Sequence, residues 1–373
     1  QDVAIKPNVK VIMKSDTEIL DEVMVIAYGT TKKESFTGSA EVIKSEKLKE
    51  RPVANVTKAL DGMVAGVQTT SGSGQPGSGS SVVVRGYGSI NSSQSPLYVV
   101  DGVPVSSGNT GQMSGELYST NNIMNTLNPE DIESISVLKD ASAAIYGARA
   151  ANGVILVTTK RGKEGKMQVN YNGSYTLSQP TRIPQMLNSY QYATYVNEYD
   201  ADPRHDQGGI TYSDEVLQHY INHDDDLNYP DTDWWDAVAK DWAGKTQHSL
   251  SVSGGNDKLS FYSSAQYMWQ DAIYKQSTQD YKQYQLITNI DAKINKSVRF
   301  SFDILGRQEQ RNRGIYSTPY LFTYFLTTFP GSAPYFPNGL PRVGYDGITR
   351  NAAIMVTDQP GYNKYTYNIL NLK

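Results

Sequence analysis

The sequence contains no cysteine. It therefore has no disulfide framework and no thiolate chemistry, which fits an exported protein needing no covalent staple. No apolar run reaches the ~18–20 residues of a membrane-spanning helix. Helical spans are thereby excluded, but a β-barrel is not, because its signal per strand is weak. Neither charge sign dominates: 34 Lys and Arg stand against 38 Asp and Glu, a net charge of −4. That balance gives no support to nucleic-acid binding. Gln1 is followed by no basic region and apolar core, so a leader peptide is expected to be gone already. Catalytic signatures are missing as well. There is no Gly-x-Ser-x-Gly elbow, and no Gly-Lys-Ser/Thr follows the glycine-serine stretch Ser71–Ser80. His219 and His223 stand four apart without the glutamate of a zinc protease. Asp224, Asp225, Asp226, Asp231 and Asp233 lack the interleaving and glycine of an EF-hand loop. No catalytic residue, metal ligand or cofactor is expected, and the protein is not read as an enzyme.

What is present changes character along the chain. Val9-Lys10-Val11-Ile12-Met13 is an isolated extended piece within residues 1–20, read as the end of an N-terminal extension. Next come Asp21, Glu22, Val23, Met24, Val25, Ile26, Ala27 and Tyr28, then Gly29. This acid-led apolar stretch suits a core strand, or a segment that pairs edge to edge with a strand of another protein. Residues 30–165 are mixed α/β. Asn55–Leu60 reads as a short helix, Ala65–Thr69 as a strand, and Val82–Asn91 and Pro96–Val105 as strands with turns. Asn128 caps Pro129-Glu130-Asp131, which opens a short helix with Ile132, Ile135, Val137 and Leu138 on its apolar side. A turn at Tyr146–Arg149 leads to the buried strand Gly153–Thr159, closed by Lys160-Arg161-Gly162.

Beyond Lys166 the period becomes two. Val169, Tyr171, Gly173, Tyr175 and Leu177 alternate with polar residues; so do Leu259, Phe261, Ala265, Tyr267 and Trp269. Tyr284, Leu286, Ile290, Ala292 and Ile294 repeat the pattern, as do Val298, Phe300, Phe302 and Ile304. Six strands are expected near 167–177, 246–253, 258–269, 283–294, 298–307 and 363–373. Tight turns at Gly254–Asp257 and Asn295–Ser297 fall at one end; the long connections 178–245, 270–282 and 308–362 fall at the other. Apolar-out, polar-in strands with short turns on one side and long loops on the other describe a membrane barrel. Tyrosine, 27 residues against 8 Phe and 4 Trp, suits interfacial girdles or a wet lumen. Trp234 and Trp235, in the first long connection, read as packing of a loop helix.

Several of these runs, in order, carry a resemblance. Asp-Glu-Val-Met-Val at 21–25 with Tyr28-Gly29, Gln75-Pro76-Gly77, Val84-Arg85-Gly86, Pro96-Leu97-Tyr98-Val99-Val100-Asp101-Gly102 and 124–160 together resemble the TonB-dependent outer-membrane transporters, the SusC/RagA-like branch in particular. The resemblance implies a TonB box at 21–29, a plug domain at 30–165 and the first part of a β-barrel at 166–373. The full protein would be a barrel of about 22 strands with an α/β plug inside its lumen, about six strands being encoded here. It also implies TonB-dependent import of a nutrient oligomer, oligosaccharide first and oligopeptide as the alternative, in the outer membrane of a Gram-negative bacterium. A binding-only receptor or adhesin is the rival. Implied partners are a SusD-like surface lipoprotein, the TonB energy-coupling complex, the lipid bilayer and a dimer of transporter–lipoprotein pairs. Arg85 and Arg149 are expected to lock the plug to acids on the inner wall. Substrate contacts are expected from Asn91, Ser92, Gln94, Tyr118, Asn121 and Asn122.

Overall fold

A computed structural model describes residues 23–26, 29–32, 40–49, 56–60, 62–71, 74–78, 80–86, 95–105, 127–204, 209–295, 297–342 and 351–373. The extended piece at 9–13 lies outside them. β1 (Val23–Ile26) and β2 (Gly29–Lys32) form a two-stranded antiparallel ribbon, with Val23 opposite Lys32 and Ile26 opposite Gly29. β3 (Ala40–Lys44), α1 (Ser45–Lys49) and α2 (Val56–Ala59) follow, then the ribbon of β4 (Val67–Ser71) and β5 (Ser80–Val84). β6 (Leu97–Val100), β7 (Val103–Val105), β8 (Ile132–Leu138) and β9 (Val154–Thr159) join β3 in a five-stranded sheet of order β3-β8-β9-β6-β7.

This sheet is buried on both faces, which is why its strands are nearly all apolar. Ile155 and Val157 of β9 enter one core with Ile43, Leu60, Tyr98, Ile135 and Val137. Val154 and Leu156 enter the other with Leu97, Val99, Leu138 and Ala143. The segment 132–138 corrects an expectation. Only Pro129–Asp131 is helical, as one 3₁₀ turn capped by Asn128, and Ile132–Leu138 is a strand. Its β-branched residues pair with β3 on one side and β9 on the other, and two sheet ladders outweigh a single helical turn. The turn expected at 146–149 is real: Gly147, at φ 72°, breaks the 3₁₀ run Asp140–Ala150.

The second body is a six-stranded antiparallel meander. Its strands are β10 (Gly165–Ser178), β11 (Ala243–Gly255), β12 (Leu259–Asp271), β13 (Asp280–Lys293), β14 (Arg299–Gly314) and β15 (Tyr362–Leu372). The register places the alternating apolar residues on one face. Tyr171, Leu250, Ala265, Leu286, Gly306 and Leu370 form one cross-strand row, and Phe261, Ile290 and Phe302 another. Tyr267 lies opposite Tyr284, ring centroids 5.2 Å apart, at the rim nearer the long connections. The other face turns toward the α/β body and buries polar side chains. Among the described residues the sheet is open, β10 and β15 each pairing on one side only.

The long connections gather at one end around α3 (Ser189–Asp200), α4 (Asp214–Asn222), α5 (Trp234–Val238), α6 (Thr318–Thr327) and α7 (Ala352–Met355). Trp234, Val238, Tyr274, Leu321, Phe325, Ala353 and Met355 form their core, and Trp234 Nε1 donates to Phe329 O at 3.0 Å. Trp234 and Trp235 are thus packing residues. Asp233 caps α5, Asp231 accepts from Ser189 N, and Asp225 accepts from Asn228. The acidic stretch is spent on local turns.

Ile304 sits midway up the apolar band, opposite Thr288 and Leu372. Ile304→Arg in the full protein should lower its unfolding free energy in lipid vesicles by about 2–4 kcal/mol, while Ile304→Val should cost about 1 kcal/mol or less.

Candidate functional site

The α/β body meets the wall at one end of its two inner strands β8 and β9. β8 begins where its neighbour β9 ends, and Lys160 N donates to Asp131 O at 2.8 Å. Both strand ends are therefore presented to the wall together, and each carries polar side chains.

At the end of β9, Arg161 reaches two carboxylates. Its Nη1 donates to Asp291 Oδ2 at 3.0 Å and its Nη2 to Asp303 Oδ2 at 2.7 Å. The acids stand on β13 and β14, so one guanidinium spans two strands. Ser301 Oγ donates to the other oxygen of Asp291 at 2.6 Å. One step earlier, Asn289 Nδ2 donates to Thr159 Oγ1 at 2.9 Å and Lys160 O at 2.8 Å. Thr159 in turn donates from N and Oγ1 to Asp101, at 2.9 and 2.6 Å. Burial pushes the Asp101 carboxyl up from its ordinary range, against those two hydrogen bonds. Gly162 completes the clasp. A Cβ there would lie 2.3 Å from Phe261 N, so only glycine lets the chain pass this close to β12.

At the start of β8, Asn128 Nδ2 donates to Ser249 Oγ at 3.1 Å while Gln247 Nε2 donates to Asn128 Oδ1 at 3.3 Å. Asp131 is buried and accepts from Tyr262 Oη at 2.7 Å. Its second oxygen, Oδ2, has no partner. Burial raises its pKa, opposed by the hydrogen bond from Tyr262. A third contact lies about 26 Å up the wall from Asn289. There Gly77 N donates to Gln270 Oε1 at 3.3 Å, and a Cβ on Gly77 would strike the Tyr281 ring at 2.4 Å.

Of the residues singled out from sequence, Val23–Ile26 are the strand β1, which lies beside β9. Asp21, Glu22, Ala27 and Tyr28 lie outside the described residues, as do Asn91, Ser92, Gln94, Tyr118, Asn121 and Asn122. Arg85 is exposed at φ 60°, its N donating to Gly66 O at 2.6 Å, and Arg149 is exposed in the 3₁₀ segment. Arg161, at the basic end of β9, makes ion pairs to two wall acids, Asp291 and Asp303. The available signal was the acids Asp291 and Asp303 at inward positions of otherwise apolar-flanked strands.

Arg161→Ala should loosen this end by about 2 kcal/mol, because charged hydrogen bonds that are partly open to water sit low in their range. Limited proteolysis of the full protein in membranes should then cut the plug sooner; an unchanged rate would contradict the clasp. The buried acid Asp131 has the opposite sign. A carboxyl whose folded pKa is raised contributes stability below its unfolded pKa near 3.8. That stability is lost as pH rises toward the folded value. Asp131→Asn should therefore hold or raise stability at pH 7 and flatten its decline between pH 4 and neutrality, read from denaturation midpoints across that range.

Residues 32–154 match the family model of the TonB-dependent receptor plug domain. The chain is 38% identical over 280 residues to TonB-dependent receptor SusC of Bacteroides thetaiotaomicron, covering 74% of this chain and 25% of SusC. It is 35% identical over 289 residues to TonB-dependent receptor P26 of Formosa agariphila, covering 76% of this chain and 26% of P26. Among solved structures it is similar to the RagAB peptide importer in the closed-closed state. There the TM-score is 0.64 at 30% identity, with 83% of this chain and 35% of that chain covered. The open-open state gives a TM-score of 0.66 at 29% identity, covering 87% and 36%. The chain thus spans about a quarter of the length of the curated relatives it matches. With an α/β plug clasped to six strands of a barrel wall, the chain belongs to the SusC-like TonB-dependent receptors, an outer-membrane β-barrel family.

Proposed function

We propose that the protein to which this chain belongs imports a polar nutrient oligomer across the outer membrane of a Gram-negative bacterium, driven by the TonB energy-coupling complex. The observation that carries this reading is the position of Arg161. It fastens the end of β9 to Asp291 and Asp303, and β1, the acid-led segment resembling a TonB box, lies beside β9. A pull applied to β1 therefore loads the strand that ends in the clasp. β1 offers main-chain donors and acceptors to a coupling strand, and the outer membrane has no nucleotide supply, so the energy must arrive mechanically from the inner membrane.

In this reading the turn end faces the periplasm and the helical loop end faces outward, where a SusD-like lipoprotein closes over the substrate. Two such transporter–lipoprotein pairs would assemble side by side. The boundaries at 21–29, 30–165 and 166–373 divide tether, plug and wall. Arg85 and Arg149 remain candidate locks toward wall strands beyond the six described, and the loops around 91–94 and 118–122 remain candidate substrate contacts. The substrate is an oligosaccharide in the first reading. An oligopeptide is the second, favoured by the similarity to the RagAB peptide importer.

Deleting Asp21–Tyr28 from the full protein separates import from a receptor or adhesin that only binds. Uptake of labelled oligomer should stop while its binding to whole cells persists. Growth on the oligomer at the wild-type rate after this deletion would overturn the import reading.

A further inference from the structure

The inner face of the wall carries a polar cluster that the clasps do not use. It lies between the contact at Asn289 below and the contact at Gly77 above, about 13 Å along the strands from each level. Gln266, Gln285 and Arg307 are cross-strand neighbours in one row of β12, β13 and β14. All three are buried, at 7, 5 and 8% exposure. One row higher, Glu309 at 1% exposure is ion-paired with both Arg307 and Arg311, and its Oε2 accepts from Arg311 Nη2 at 3.2 Å. Tyr281 Oη donates to Gln283, and Gln283 Nε2 donates to Gln285 Oε1 at 3.2 Å.

Two properties distinguish this cluster from a closed network. Its hydrogen bonds do not balance: Gln285 Nε2, Arg307 Nε and Arg311 Nε are buried donors with no partner, and the acceptors Gln266 Oε1 and Glu309 Oε1 beside them also accept no hydrogen bond. Buried polar atoms in native proteins are nearly always satisfied, so a concentration of orphans in neighbouring rows calls for a group that fills them. The charge does not balance either. Two guanidinium groups share one carboxylate, which leaves an excess positive charge beside the three free donors. Planar N–H donors carrying positive charge match a carboxylate in both geometry and sign.

We propose that this row is a way station for carboxylate groups of the imported oligomer, on the stretch of wall that plug movement uncovers. The proposal rests on the import reading given above and adds a substrate chemistry to it. The carboxylate can come from a peptide, at its C-terminus or on its acidic side chains, or from an oligosaccharide containing uronic acid. Neutral oligomers would pass without engaging Arg307.

The test uses the full protein in cells and two probe pairs: an acidic pentapeptide with its fully amidated form, and a uronic acid trisaccharide with its methyl ester. For each pair the ratio of acid to neutral uptake is measured. Arg307→Gln should lower that ratio about tenfold in whichever pair the protein imports. Gln285→Glu supplies a tethered carboxylate to the same donors with little change in volume, so it should assemble even where Arg307→Gln does not, and it should lower the ratio similarly. An unchanged ratio in Gln285→Glu, with wild-type uptake intact, overturns the station while leaving import standing. Wild-type uptake of only the neutral probes also overturns the station. Wild-type uptake that is insensitive to deletion of Asp21–Tyr28 strikes the import reading itself.

Discussion

An arginine held between two carboxylates on different strands is a fastening that works only as a set. Asp291 and Asp303 stand diagonally on β13 and β14, with Asn289 opposite Asp303 and Ser301 opposite Asp291. Without a cation between them, two acids this close on adjacent strands repel. Arg161 turns that repulsion into a bridge, fixing the end of the plug strand and the local wall together. Its surroundings are open. The group lines a cavity of about 530 Å³ with Lys258, Lys293, Arg299 and Lys373. Water and mobile cations can replace each partner as it departs, which keeps the bridge from being an irreversible one.

The rest of the plug follows from where polar groups are allowed. Its sheet carries an apolar core cluster on each face. The polar side chains at the strand ends are the residues that reach the wall: Asn128, Glu130 and Asp131 before β8, Thr159 to Gly162 at and after the end of β9. The wall answers with polar inward positions, Ser249, Tyr262, Asn289, Asp291 and Asp303. Leu305, which packs against the plug core, is an apolar exception. The plug is held by hydrophobic burial and the wall by its strand ladders, and the two are joined mainly by hydrogen bonds.

This division also explains what could be read from sequence. Period-two alternation exposed the wall strands because lipid-facing positions must be apolar, and β10, β12 and β13 lie within a few residues of the expected ranges. β14 runs on to Gly314, well past the expected 307. Its outward residues there are Gln308, Gln310 and Asn312, above the apolar band, so alternation fades while pairing continues. Residues 132–138 read as helical from sequence because a capped Pro-Glu-Asp start is a strong local signal, whereas pairing with β3 and β9 is non-local. The Arg161 bridge is illegible in sequence for a related reason: its partners Asp291 and Asp303 lie 130 and 142 residues away, which no local pattern encodes.

The contrast between core and seam decides how the plug yields to force. Ile132, Ile135, Val137, Val154, Ile155 and Val157 are almost completely buried. At about 1.5–3 kcal/mol each, separating β8 from β9 would expose on the order of 10 kcal/mol of apolar side chain. The Arg161 bridge and the Asn289 contact are each worth roughly 1–3 kcal/mol, and water can replace them one at a time. A load entering beside β9 therefore meets a weak polar seam in series with a strong apolar sheet. Under the proposed import the seam would give first, and the sheet would leave the wall as a body rather than unravelling strand by strand. On this argument the polar rows of β12 to β14 would be the surface left behind when it does.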